Sequence, residues 1–359
     1  MNRRRVCGLI GFQSVGKATL YDVLLQGSAK SQVNAPDESQ KMDVTLPVFD
    51  ERLEALSKFC KNSQKHPVEL EVHNFTSKNA DTEDFCPQFL EDMRKVSLLV
   101  HVVRSFGSAP PSPSDEIDRM NSKIIANDIE LVRKRLARMS SSRKALEADV
   151  SALTKIADWL EGGKSARLLP DEDPLRSSLK VSELQLLSMK PMLYVLNIDE
   201  SALGGKENPC LTELNASFAE GLVDPGPVLA CCVKAEKEMT RFSAEERRSF
   251  MKEYGIVSPC QQTLSSAAYG ALPLHTFFTT GDTMTHAWAI PRGCNAVDAS
   301  ACIHSSFAKR FRSARVLSWR DYISHASIQA ADAAMVSHSK EYTLKDGDVL
   351  IVDLSKPPK

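Results

Sequence analysis

One stretch limits the folds open to this chain more than any other. It is Gly11-Phe12-Gln13-Ser14-Val15-Gly16-Lys17-Ala18-Thr19, preceded by the apolar run Val6 to Ile10 and followed by Leu20-Tyr21-Asp22-Val23-Leu24-Leu25. The order is strand, glycine-containing loop, helix. Gly11 and Gly16 let the backbone curl until successive N–H groups face one point, the helix N-terminus adds a favourable dipole there, and Lys17 brings a positive charge to terminal phosphates. A phosphate-binding loop is expected, formed by Gly11, Ser14, Val15, Gly16, Lys17, Ala18 and Thr19. The residue after the lysine ordinarily carries a hydroxyl for Mg²⁺, and Ala18 offers only a methyl group. Thr19 stands one helical residue on, about 100° round the axis. The loop therefore predicts nucleotide binding more firmly than hydrolysis.

The chain has 359 residues, enough for two or three domains and a sizeable core. Lysine and arginine number 45 against 46 aspartates and glutamates, so the average surface makes no case for DNA, and contact with RNA would need a local basic patch. No run of twenty apolar residues occurs, so a membrane span is not expected. The opening Met1-Asn2-Arg3-Arg4-Arg5 leads into the first strand without an apolar signal region, which predicts a cytoplasmic protein. Nine cysteines lack C-x-x-C spacing and eight histidines lack H-x-x-x-H, so the spacing indicates neither a zinc site nor a disulfide framework.

Along the chain, Ser28 to Met42 is polar and without apolar period, where a first switch would lie. Asp50 to Phe59 places Leu53, Leu56 and Phe59 at helical intervals, and Val68 to Val72 alternates as a strand does. After that strand a D-x-x-G would bond Mg²⁺ and a γ-phosphate, but Asn74-Phe75-Thr76-Ser77 stand there, and Lys78 to Cys86 contains no glycine. Val96 to Arg104 reads as a buried parallel strand, with His101 as a satisfied core histidine. A stripe of Ile125, Ile129, Val132, Leu136 and Met139 resumes after three serines as Leu146, Val150, Leu153, Ala157 and Leu160. This predicts an antiparallel helical arm that turns at Ser140-Ser141-Ser142 and closes near Gly162-Gly163. Arg133, Lys134, Arg135, Arg138, Arg143 and Lys144 gather near its turn, as an RNA phosphate contact or as a solvated helical face. Pro191 to Glu200 is a further buried strand ending in Asn197-x-x-Glu200, where a base would be read. Val228 to Lys234 ends in Cys232-Val233-Lys234, a loop placed to close over that base.

An ordered series of motifs resembles the Obg-like ATPases, also called YchF proteins. It includes Gly8-Leu9-Ile10-Gly11 with Val15-Gly16-Lys17, Arg52-Leu53-Glu54-Ala55-Leu56, His101-Val102-Val103-Arg104, Asn127-Asp128-Ile129-Glu130 and Lys190-Pro191-Met192-Leu193-Tyr194. Further along come Ala235-Glu236-Lys237-Glu238, Phe277-Phe278-Thr279-x-Gly281, Ile303-His304-x-x-Phe307 and Asp346-Gly347-Asp348-Val349. The resemblance implies an α/β fold: a P-loop NTPase of Obg type over 1–274, interrupted by a helical arm at 117–176, then a C-terminal α+β TGS domain, β-grasp-like, over 275–359. It implies ATP or ADP as ligand, with GTP second, Asn197, Ile198 and Glu200 around the base, and the ribosome as partner. Ala18, Asn74 and Ser77 depart from the family pattern, so none of the usual Mg²⁺ ligands is retained and catalytic residues are unassigned. The expected function is nucleotide binding in translation with hydrolysis weakened or lost. The alternative is a non-catalytic scaffold that docks through the arm and the TGS domain.

Overall fold

The computed structural model describes residues 5–26, 43–75, 85–140, 147–204, 208–281 and 283–355. In chain order the strands are β1 (Val6–Ile10), β2 (Val44–Pro47), β3 (Gln64–His66), β4 (Glu69–Asn74), β5 (Leu98–Ser105), β6 (Met192–Ile198) and β7 (Val228–Cys231), followed by β8 (Leu274–Thr280), β9 (Met284–Pro291), β10 (Phe311–Ser318), β11 (Val336–His338) and β12 (Asp348–Leu354). Contacts divide the described residues into two compact units, one within 6–45 and 71–271, the other within 1–5, 46–70 and 272–359.

The first unit is built on a sheet of order β2-β4-β1-β5-β6-β7, in which β4 to β7 run parallel. Its central strands read as continuous apolar runs because both of their faces are covered. All of Val6–Ile10 and Met192–Ile198 is buried, as is β5 except for Arg104. Ile10, Leu99, Val103, Leu196, Met93, Ile124 and Leu214 share one core. The helix after the phosphate loop, α1 (Lys17–Gln26), buries Leu20, Tyr21, Val23 and Leu24.

The arm follows from its stripe. On the long helix Pro113–Ser140, Ile125 and Val132 are buried against Leu153, Ile156, Ala157 and Leu160 of the helix Glu147–Glu161, with Ile129, Leu136 and Met139 packed at the margin. Gly163, at φ +74, donates to the Leu160 carbonyl at 2.9 Å and ends the second helix as the sequence predicts. At the root of the arm the buried Asp128 carboxylate accepts from the N–H groups of Leu187 (3.1 Å) and Ser188 (2.7 Å). The predicted serine turn beyond Ser140, together with Leu146, Arg143 and Lys144, lies outside the described residues, as do the candidate switch segments 28–42 and 76–84 with Ser77.

The second unit carries a sheet of order β11-β10-β12-β8-β9-β3, with β12–β8 and β9–β3 parallel and the other pairs antiparallel. Phe277, Ile290, Ala296, Ala299, Ala314, Val316, Leu344 and Leu350 form its core. The sequence reading ends the first domain at 274 without setting 46–70 apart, whereas the contacts of that segment lie with residues beyond 272. Two interactions account for this. Gln64, Lys65 and His66 pair with Met284, Thr285 and His286. Arg52 on the helix Glu51–Cys60 bonds both Asp50, the cap of that helix, and Asp346 at 2.6 Å.

His101, in the middle of β5, is fully buried as expected, but neither of its ring nitrogens has a hydrogen-bond partner, so it is not the satisfied histidine of the sequence reading. Burial, reinforced by the charges of Lys17 and Arg167, pushes its pKa down to about 3. An unfolded chain, whose histidine titrates near 6.5, takes up a proton that the fold refuses, so this contribution is whole above that pH and is lost as pH falls below it. From pH 7 to pH 5 the fold should lose about 2 kcal/mol through this residue. His101→Leu should remove that part of the pH dependence, read from urea unfolding of both proteins at the two pH values.

Candidate functional site

Past the carboxyl ends of β1, β5, β6 and β7 the first unit opens a cavity of about 950 Å³, within the size range of small-molecule sites. Its walls are Ser14, Gly16, Lys17, Ala18 and Thr19 from the loop, and Asn197, Ile198 and Glu200 after β6. Cys232, Val233 and Lys234 after β7 join them. A parallel sheet places its loops there by topology.

The loop adopts backbone angles that its glycines permit. Gly11 and Gly16 have φ of +147° and +100°, and Ser14 between them sits at +61°. A Cβ on Gly11 would meet the Val102 carbonyl at 2.5 Å, and one on Gly16 would meet Nδ2 of Asn197 at 2.4 Å. The Lys17 ammonium donates to the carbonyls of Gly11 (2.6 Å) and Phe12 (2.5 Å), which fixes a positive charge at the start of α1. No acidic residue occupies the first turn of that helix, so nothing of like sign competes with an anion at its N-terminus. Glu116 feels the same Lys17 charge, yet burial outweighs its cationic neighbours and pushes its carboxyl up to about 7.

Gly11 and Val15, expected at the phosphate, are not among the residues that line the cavity. Gly11 packs on Val102 and anchors Lys17, and Val15 is buried with its carbonyl facing Asn197. Ala18 and Thr19 both line the cavity, and Ala18 brings a methyl group where the sequence pattern would have a hydroxyl. Asn74 closes β4 opposite Leu9 and lines no part of the cavity. The usual donor set for Mg²⁺ is thus not supplied by the side chains at these two positions.

Asn197 is the strand-end residue that joins the site. Its Nδ2 donates to the Val15 carbonyl at 2.9 Å, and its Oδ1 accepts from the Val233 N–H at 3.1 Å. Expected as a base contact, it binds the phosphate loop to the loop after β7 from the wall of the cavity. Glu200 faces Lys234 at 3.1 Å, a pairing that raises the lysine pKa. Asp199 accepts from the Gly107 N–H at 2.7 Å and holds the turn that presents Phe106 to the cavity.

Sequence reasoning missed Gln13, Phe106, Asp199, Ser201, Lys237, Glu238 and Arg241 on this wall. The last three carried a signal. With Lys234 they recur at 234, 237, 238 and 241, the spacing of one helical face, and the helix Val233–Met239 begins at the base loop. The arm candidates form a separate group. Arg133 pairs with Glu161 at 2.8 Å, Lys134 with Glu130, and Arg135 with Glu183 at 3.3 Å. Arg138 lies in the same helix. Exposed pairs of this kind contribute little to stability, so these cations can exchange their acids for other anions at small cost.

A strand, a glycine loop closed by lysine and a helix, opening on a cavity at the carboxyl edge of a parallel sheet, define a P-loop nucleotide-binding fold. Comparisons with known proteins agree. A family model described as "YchF-GTPase_C: Protein of unknown function (DUF933)" matches residues 274–354. The protein named "Ribosome-binding ATPase YchF" from Bacillus subtilis (strain 168) is 30% identical over 96% of this chain and 97% of its own length. Its namesake from Escherichia coli O157:H7 is 29% identical over the same shares. The solved "Structure of the Schizosaccharomyces pombe YchF GTPase" has this fold, with a TM-score of 0.83 and 23% identity over 98% of both chains. The chain belongs to the YchF family.

Asn197→Ala would leave the Val15 carbonyl and the Val233 N–H buried without partners. It should lower the unfolding free energy by about 2–4 kcal/mol, since each unsatisfied buried group costs about 1–3 kcal/mol. Urea denaturation of the two proteins checks this.

Proposed function

We propose that this chain is a nucleotide-binding member of its family that takes ATP or ADP in the cavity above Lys17, and that its hydrolytic step is weakened or lost. The observation that carries this reading is the pairing of an intact phosphate cradle with the Ala18 methyl group on the same wall. Backbone N–H groups, the N-terminus of α1 and Lys17 can hold a β-phosphate without a hydroxyl at position 18. Stabilising the charge that develops in phosphoryl transfer needs groups which Ala18 and Asn74 do not offer. Glu200 favours ATP over GTP in this reading. Its carboxylate is engaged by Lys234, whereas a guanine site needs an acid free to accept two N–H groups.

The B. subtilis and E. coli relatives are named as ribosome-binding ATPases. On that basis the partner proposed for this chain is the ribosome and its place the cytoplasm. The exposed cations Arg133, Lys134 and Arg135 are candidates for contact with ribosomal RNA, together with Arg138, Arg143 and Lys144 of the same arm. No described helix is long and apolar enough to cross a membrane. The domain limits that accompany this reading are a nucleotide-binding domain over 1–274 with its arm at 117–176, from which 46–70 packs with the residues beyond 272, and a TGS-type domain over 275–359.

Calorimetric titration of the full chain with ATP, ADP and GTP, with and without Mg²⁺, followed by a turnover assay on the same sample, tests the reading. Binding of ATP and ADP that changes little with Mg²⁺, and turnover near background, are the expected results. Lys17→Ala should weaken nucleotide binding by about 10- to 100-fold, the worth of a charge-assisted contact, and Ala18→Ser should bring Mg²⁺ dependence. Strong Mg²⁺-dependent hydrolysis by the unaltered chain would overturn the weakened-enzyme reading. Absence of nucleotide binding would overturn the whole.

A further inference from the structure

In the same unit, and apart from the nucleotide cavity, three side chains of different chemistry converge. Glu71 and His73 stand two residues apart in β4 and therefore on one face of the sheet. Asp43 immediately precedes β2, the strand next to β4 in the sheet order. One ligand atom from each of the three lies within 4.8 Å of the other two, and none of the three residues lines the nucleotide cavity.

We propose that Asp43, Glu71 and His73 form a binding site for a divalent transition-metal cation, with Zn²⁺ the ion that fits best. One imidazole nitrogen with two carboxylate oxygens is a donor set of borderline softness, suited to Zn²⁺. Mg²⁺ prefers oxygen ligands, keeps its waters and demands an octahedral shell. Bonds of about 2.0–2.2 Å to nitrogen and oxygen put tetrahedral ligands roughly 3.3–3.6 Å apart. Nε2 of His73 is already 3.0 Å from Oδ1 of Asp43, and small side-chain rotations bring in Glu71. That nitrogen is buried and makes no hydrogen bond, although it stands at ion-pair distance from Asp43. Two carboxylates at this separation repel each other, and a dication neutralises both.

A second observation points to the same place. The Tyr21 hydroxyl, on α1, is buried and without a hydrogen-bond partner. Asp43 is the charged group that acts on it. A water in the fourth position of a three-ligand site is the partner such a hydroxyl lacks. The cation would clasp the residue before β2 to β4 at the margin of the nucleotide-binding sheet. Sequence spacing gave no hint of this because the ligands come from positions 43, 71 and 73.

The test uses the full chain stripped of metal and titrated calorimetrically with ZnCl₂ and, separately, MgCl₂, beside the variants His73→Gln and Glu71→Gln. The unaltered chain should bind one Zn²⁺ more tightly than Mg²⁺, and each variant should lose at least about 10- to 100-fold in Zn²⁺ affinity, the range already seen when only outer-shell partners are removed. X-ray absorption at the zinc edge keeps the proposal testable if a variant fails to fold, since it needs the unaltered chain alone. A shell of nitrogen and oxygen near 2.0–2.1 Å supports the site, and sulfur near 2.3 Å overturns it by placing the ion on cysteine. Equal Zn²⁺ uptake by all three proteins, or none by the unaltered chain, also overturns it and leaves His73 and Asp43 as an ion pair.

Discussion

The Asn197 amide is the interaction on which the nucleotide cavity depends. A phosphate loop, a base loop and the turn between them come from chain segments far apart, and each ends a different strand of one sheet. Strand pairing fixes where those strands end but not how the loops beyond them lie. One planar amide solves this by giving its N–H to the Val15 carbonyl and taking the N–H of Val233. Gly16 completes the arrangement, since any Cβ there would occupy the space that Nδ2 fills. The residue that holds the loops is therefore also the one that requires a glycine opposite it.

This clarifies what the sequence could and could not convey. The loop from Gly11 to Thr19 was legible because its chemistry is local, and the buried strands β1, β5 and β6 because doubly covered strands lose their polar alternation. The arm was legible from a stripe that needs only its own helix to be seen. Asn197 stands out in the sequence as a residue of the base loop and lines the cavity, but nothing at position 197 reveals that its partners in the fold are Val15 and Val233. Lys237, Glu238 and Arg241 were passed over for a different reason. Lys237 and Glu238 belong to a motif of the chain and Arg241 lies just past the helix Val233–Met239, but beyond their spacing none of the three carries a local sign of the cavity they face. The short strand Gln64–His66 is exposed throughout, so its pairing with Met284–His286 leaves no trace in hydrophobic pattern.

The region around Lys17 shows how burial orders charges. Lys17 is held by two carbonyls, His101 is kept neutral, and Glu116 is held toward its neutral form. Each departure follows from removal of water, and each leaves the lysine as the dominant charge at the loop. An anion entering the cavity thus meets a field already arranged before it arrives. Ala18, next to that lysine, adds a methyl group and no hydroxyl to the wall.

The union of residues 46–70 with 272–359 has a consequence in time. Arg52 and Asp346 stand 294 positions apart, yet their ion pair helps to tie the helix Glu51–Cys60 to the loop before β12. During synthesis the segment ending at residue 70 must wait for about 200 further residues before the chain from 272 onward begins to emerge. At about 5–20 residues per second that is an interval on the order of 10–40 s. Throughout it, the helix Glu51–Cys60 lacks β8, β9 and the helix Trp319–Ser324, against which it packs in the finished unit. The first unit, 6–45 with 71–271, can form meanwhile, so the helix Glu51–Cys60, made early, is among the last parts to find its place.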